Sequence, residues 1–262
     1  MRTLWSALGV EWLKARRSRV PWAVAAGFSL APLVCALFMV ILKDPEAARR
    51  LGLLGTKAAI TAGTADWPTM LSMLGQALAV GGAILFAFLT AWLFGREFSD
   101  RTVRNLLAIP TPRWSLVTAK ILVVTVWGVA TTALVIALGF LAGAVVGLPG
   151  WSDALATEAL GRMAAVALLT IALQSTTAFF AGIGHGYIAP LGWAFATVAA
   201  AQILAVLGLG QAFPWAVPAL VSGAAGPDAM SLPAGSYLLV LATGAIGLAA
   251  TIAWWSRADQ TG

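Results

Sequence analysis

Cysteine and histidine occur once each in these 262 residues, as Cys35 and His185, and charged side chains make up only 10% of the chain. A single cysteine excludes a disulfide framework and a cysteine-rich metal site. Nor does Cys35 fit a lipid-attachment site, since Val34 precedes it where a small residue is needed and apolar sequence continues past it, so it reads as a packed membrane residue. A single histidine excludes the clustered His and carboxylate ligands of a membrane metalloprotease, and no HExxH arrangement occurs. As the base of a serine hydrolase, His185 would have to work from a glycine-rich turn at a membrane edge, where an interfacial residue is the better reading. The apolar runs contain no Asp or Glu, so they offer no proton relay. No phosphate-binding loop of the form GxxxxGKS or GxxxxGKT is present, which assigns any nucleotide hydrolysis to another chain.

What the chain does have is apolar residues, 60% of the total, with a mean hydropathy of +0.90. Such a composition excludes an ordinary soluble domain. Six apolar runs, at residues 21–42, 69–94, 116–147, 160–182, 187–209 and 234–255, each reach the roughly 20 residues that cross a bilayer as a helix. Lipid offers the backbone no hydrogen-bond partner, so these runs should be helices and the fold an all-α integral membrane domain spanning residues 1–262. The 116–147 run exceeds what the hydrocarbon core needs and should tilt or project from it. The first 20 residues are basic and Trp-containing and lead into a full-length span, so they are expected to be retained rather than cleaved as a signal.

With the N-terminus inside, eleven of the sixteen basic residues lie in cytoplasmic segments and five outside, while the ten acidic residues divide four against six. That asymmetry predicts cytoplasmic termini. It also explains the basic pI as membrane orientation rather than nucleic-acid binding. The opening stretch LWSALGVEWLKARRSR places Leu4, Trp5, Leu8 and Trp12 on one side of a helix with Ala15 beside them, and Val10 and Leu13 opposite. An interfacial helix over residues 3–19 follows, with Trp5 and Trp12 at headgroup level and Lys14, Arg16, Arg17 and Arg19 near lipid phosphates. LPGWSDALATEAL is expected to be a short acidic connection, and AGIGHGYIAP a tight turn. The four prolines between Gln211 and Pro233 predict an irregular or re-entrant external segment.

Charge concentrates in GREFSDRTVRNLLAIPTPRWSLVTAK, residues 95–120. Asp100 can cap a short helix over about 100–109, which Pro110 stops, and Ser115 can cap the third span. Val103, Leu106 and Leu107 share one face of that helix, with Arg101 and Arg104 on another. Periodicity is satisfied equally by a helix resting on headgroups and by one inserted in a groove of a cytoplasmic partner. Glu97 has basic residues within reach at Arg101 and in the N-terminal helix, though an exposed pair would contribute only about 0–1 kcal/mol.

This stretch resembles the segment between spans two and three in permease subunits of ATP-binding-cassette exporters of the type-2 class. Glu97, Thr102, Arg104, Asn105, Leu106, Leu107, Pro110, Arg113 and Lys120 follow the family's pattern in order, and EWLKARRSR is similar to its opening. Asp100-Arg101 departs from it, because the family usually has a small residue, most often Gly, before the Thr. The resemblance implies an interfacial elbow helix bearing Trp5, Glu11, Trp12, Lys14, Arg16, Arg17 and Arg19. It also implies a coupling helix that docks on an ATPase, bearing Glu97, Asp100, Arg101, Val103, Arg104, Leu106 and Leu107. ATP and Mg would bind the partner ATPase, with no cofactor or metal on this chain, and a second permease, identical or a paralogue, would complete the complex. The same resemblance implies an antimicrobial-peptide or drug cargo, while apolar walls with few fixed charges suit a lipid-like one and the Ala- and Trp-rich composition suits a bacterial inner membrane.

Polar residues within the spans are Gln76, Gln174 and Gln202, with Ser175, Thr176 and Thr177 beside the second. They suit helix-to-helix hydrogen bonding or a substrate path. Gly139, Gly143 and Gly147 recur at four-residue spacing, as close packing within the chain or a dimer seam would require. A membrane enzyme with an unrecognised site and a non-transporting anchor or regulatory subunit stay open as alternatives.

Overall fold

The computed structural model describes residues 2–50, 63–103, 111–223 and 232–257. Among the described residues, six helices are long and apolar enough to cross a membrane: Arg19–Lys43, Trp67–Ser99, Arg113–Val146, Asp153–Ile183, Ile188–Val206 and Ala234–Arg257. They are the first to sixth spans, and no strand occurs among the described residues. Helix α1, Arg2–Arg17, precedes the first span, α2, Pro45–Arg50, follows it, and a short α3, Val217–Val221, lies between the fifth and sixth. The chain is thus an all-α, multi-pass membrane protein.

Local chemistry sets the ends and breaks of these helices. The first span is interrupted at Ser29: Pro32 has no N–H for the carbonyl of Phe28, and the Ser29 hydroxyl donates back to the Ala25 carbonyl at 2.9 Å. Asp66 caps the second span by accepting from the Thr69 amide at 2.9 Å, with Pro68 in the first turn. The fourth span starts earlier than its apolar run, because Ser152 accepts from the Leu155 amide and Asp153 lies in the first turn. Most of the acidic connection expected from LPGWSDALATEAL is therefore helix. The turn at AGIGHGYIAP forms between Ile183 and Ile188. His185 packs there, edge to face, on Phe98 and Trp254 at 5.2 and 5.7 Å between ring centres. The proline-rich segment includes α3, whose Val217, Pro218, Leu220 and Val221 are buried.

Two further expectations are corrected at the 95–120 stretch. The second span runs on through Gly95, Arg96 and Glu97 to Ser99, so Asp100 closes that helix at its C-terminus instead of capping the next. The third span begins at Arg113, and Ser115 is a buried first-turn residue whose hydroxyl donates to the Pro112 carbonyl at 2.7 Å. These two spans have 33 and 34 residues. At about 1.5 Å per residue each measures about 50 Å, well beyond a hydrocarbon core of roughly 30 Å, so polar groups at their ends need not sit in lipid.

The fourth span packs between the second and sixth. Its Ser175 hydroxyl donates to the Gly244 carbonyl at 2.7 Å, and Thr251 of the sixth span donates to the Ser175 carbonyl at 3.1 Å. Thr176 accepts from the Trp193 indole of the fifth span at 3.1 Å, so Ser175 and Thr176 take the helix-to-helix role. The glycines of the third span pack within the chain. A Cβ at Gly139 would lie 2.4 Å from Leu74, and one at Gly143 only 2.6 Å from the Trp67 ring, while Gly147 ends the helix at φ 69°.

Replacing Gly143 with Leu should force Trp67 out of its place against Phe140 and Trp151, at a cost of about 1–3 kcal/mol. A lower thermal-unfolding midpoint in detergent with an unchanged oligomeric state is expected. An unchanged midpoint combined with loss of oligomer would return this glycine face to the dimer seam.

Candidate functional site

The buried face of α1 is set by size. Ala7, Glu11 and Ala15, four residues apart, are all buried, whereas Trp5 is 69% and Trp12 37% exposed. Small side chains bring the helix backbone close to the third span, and the large rings flank the contact. Trp12 and Trp22 both meet the edge of Trp127, at 5.8 and 5.1 Å between ring centres, and the Trp127 indole donates to the Pro21 carbonyl at 3.0 Å.

Close approach on that face delivers Glu11 to Lys120, whose side chain is completely buried. The Lys120 ammonium donates to Glu11 Oε2 at 2.9 Å, to Glu97 Oε1 at 3.1 Å and to the Leu93 carbonyl at 2.9 Å, which uses all three of its protons. Lys14 closes the ring from the outside, donating to Glu11 Oε1 at 2.8 Å and Glu97 Oε1 at 3.0 Å. The remaining Glu97 oxygen, Oε2, accepts from the Thr102 hydroxyl at 2.7 Å. Two ammonium groups thus neutralise two carboxylates. Burial works against the charge of Lys14, but the Glu11 and Glu97 carboxylates outweigh it and raise its pKa above the ordinary lysine value.

The arrangement joins α1, the end of the second span, the start of the third span and the turn after Ser99. In that turn the Thr102 amide donates to the Glu97 carbonyl at 2.9 Å, and Arg101 takes a left-handed conformation at φ 55°. Glycine adopts such a φ at no steric cost, which explains why a small residue suits the position and what Arg101 gives up there. Val103 is helical and buried, and Arg104, Leu106 and Leu107 lie outside the described residues. On their far side Arg113 donates to the carbonyls of Trp255 and Ser256, at 3.1 and 3.3 Å, at the end of the sixth span.

Sequence-expected residues are redistributed by this geometry. Glu97 pairs with Lys14 and Lys120 rather than Arg101, and Asp100 lies 3.8 Å from Arg96. Glu11 belongs to the buried ring and not to the lipid surface, while Arg16, Arg17 and Arg19 are exposed. The three glutamines do not converge. Gln76 donates to Ser72, Gln202 is exposed, and Gln174 lines a cavity of about 20 Å³ with Oε1 unpartnered among the described residues. Lys120 and Thr102 are the ring members absent from the sequence-derived site. A lone lysine inside an apolar run was the available signal for Lys120, since a charge there requires a buried partner.

Removing Lys120 alone leaves a buried carboxylate uncompensated, so Lys120→Met should lose about 3–5 kcal/mol of stability. Adding Glu11→Gln restores neutrality and should recover a measurable part of that loss. Thermal midpoints of the single and double variants in detergent give the coupling, and strictly additive losses would show that the two groups are not paired.

No histidine, cysteine or carboxylate cluster able to hold a metal occurs among the described residues. The ring is a structural joint, with all three Lys120 protons and all four carboxylate oxygens engaged. A family model described as ABC-2 family transporter protein matches residues 7–201, a range that contains most of α1, the ring and the first four spans together with most of the fifth. The bacitracin transport permease protein BCRB of Bacillus licheniformis is 30% identical over 181 residues, covering 68% of this chain and 85% of the relative. The chain belongs to the ABC-2 transporter family, as a membrane-spanning transport permease subunit.

Proposed function

We propose that this chain is the permease subunit of an ATP-driven exporter in a bacterial inner membrane, with both termini in the cytoplasm and ATP and Mg bound by separate ATPase subunits. The observation that carries this reading is the charge ring. It ties the elbow helix α1 to the second and third spans at the base of the turn that leads into the proposed coupling helix. Closure of the ATPases would push on Val103, Leu106 and Leu107, and the ring and Arg113 would pass that displacement to the spans as rigid bodies. Coupling of this kind requires the two membrane conformations to bind nucleotide-loaded ATPases with different affinity.

A second permease completes the translocation path. Among the sequence-derived path residues, Gln174 faces a small cavity between spans and Gln202 lies on the exposed face of the fifth span, so the two do not line one cavity within a protomer. Cargo is of the antimicrobial-peptide, drug or lipid-like class, and similarity to a permease named for bacitracin transport favours an antibiotic of that kind.

Purifying the tagged chain from its native membrane should bring down an ATPase at near-equal stoichiometry, identified by mass spectrometry. Leu106→Asp/Leu107→Asp should insert in the membrane normally and come down without it. Normal copurification of that double variant would refute docking through this helix. A wild-type chain recovered alone would refute the ATP-driven reading.

A further inference from the structure

Beside the ring, and open to the outside, lies a cleft of about 410 Å³ lined by Lys14, Arg17, Ser18, Trp92, Arg96, Asp100 and Tyr187. That volume falls within the range of about 300–1,000 Å³ usual for small-ligand sites. Three elements meet in it: the end of α1, the end of the second span and the turn before the fifth. Close approach of the last two depends on Gly95, where a Cβ would lie 2.8 Å from the Gly186 carbonyl oxygen and 2.9 Å from the Tyr187 ring.

The lining is cationic and its donors are only partly used. Arg17 has no ion pair among the described residues, and Lys14 has one proton left after Glu11 and Glu97. The Arg96 guanidinium is stacked over Trp92 at 4.9 Å, and its 3.8 Å separation from Asp100 is too long for a hydrogen bond. Ser18 and Tyr187 add hydroxyl groups. Asp100 is the one carboxylate on the lining, and an anion would draw Arg96 away from it. Two guanidinium forks and an ammonium around such a space match a phosphate group.

Its position selects the source of that phosphate. Ile84, Phe88, Trp92 and Arg96 recur every four residues along the second span, forming a continuous stripe from the cleft into the membrane. Phe88 is 39% exposed and meets Phe195 of the fifth span, itself 51% exposed, at 6.4 Å between ring centres. A charged cleft continuous with an exposed apolar track has the two-part chemistry of a phospholipid. We propose that the cleft binds the phosphate headgroup of an anionic membrane lipid, with an acyl chain along Trp92, Phe88 and Phe195. Lys14 then belongs to both the lipid site and the charge ring, so the bound headgroup bears on how firmly α1 is held. The inference rests on the interfacial placement of α1 and is independent of the ATPase.

The test is native mass spectrometry of the full chain, reconstituted in vesicles of equal phosphatidylglycerol and phosphatidylcholine and extracted in mild detergent. Wild type should retain phosphatidylglycerol in preference to phosphatidylcholine, and Arg17→Gln/Arg96→Gln should lose about tenfold of that preference. Arg16→Gln/Arg19→Gln removes the same charge from exposed positions nearby and should keep it. Equal losses in the two variants would leave α1 at the interface by general electrostatics and overturn the cleft. Retention of inorganic phosphate by the delipidated chain in place of lipid would overturn the lipid assignment. Dissociation of an oligomer by Arg17→Gln/Arg96→Gln without lipid loss would make the cleft a contact between copies and overturn it as well.

Discussion

An ammonium group with no exposed surface, Lys120, stands between two carboxylates and a backbone carbonyl, and the layout of one end of the protein follows from keeping it paired. An unpaired charge at that depth would cost several kcal/mol, far more than one amphipathic helix gains by resting on a bilayer. Glu11 therefore faces inward on a helix whose tryptophans suggest the opposite orientation, and α1 lies against the third span and not merely on the membrane surface. The third proton of Lys120 matters as much as the two ion pairs. By donating to the Leu93 carbonyl it reaches a backbone group of the second span, so the joint grips the helix itself as well as the end of a long side chain.

The same pairing fixes the residues flanking the segment proposed to meet the ATPase. Thr102 satisfies the last oxygen of Glu97 and is held by its own amide, while Arg113 is anchored on the terminal carbonyls of the sixth span. Lys43 does the corresponding work at the opposite end, donating to Val146 at 2.8 Å and so joining the first span to the end of the third. Helix ends expose carbonyls that need donors, and in a bundle of long apolar helices the sparse cations are placed where they serve a neighbour's terminus.

Which face of α1 packs on the third span is not legible in its apolar pattern, for a reason particular to membranes. In water the large apolar residues of an amphipathic helix mark its buried face, whereas Trp5 and Trp12 are expected at headgroup level and are exposed. Where lipid is the solvent, Trp5 loses nothing by facing outward, and the tight contact goes to Ala7 and Ala15. The third-span glycines carried the same ambiguity in another form. Their spacing announced a close approach, but whether the partner was Trp67 of this chain or a second chain is a matter of three-dimensional neighbours. Asp100 shows a different limit: as a capping residue it suits either side of a break, and the helix entering from Trp67 continued far enough to take it as its end.

From the sequence alone came the membrane class, the six spans and their approximate limits, because twenty apolar residues in lipid have few structural options other than a helix. The motif order around Glu97 also carried the family, which the comparisons then established. Only the tertiary structure decided that Glu11, Lys14, Glu97 and Lys120 are one object. They lie as far as 109 positions apart in sequence, and nothing in local periodicity distinguishes a charge destined for solvent from one that will find its partner across three packed helices. Pairing is a property of the assembled bundle, since the low dielectric that makes it strong exists only once those helices have come together.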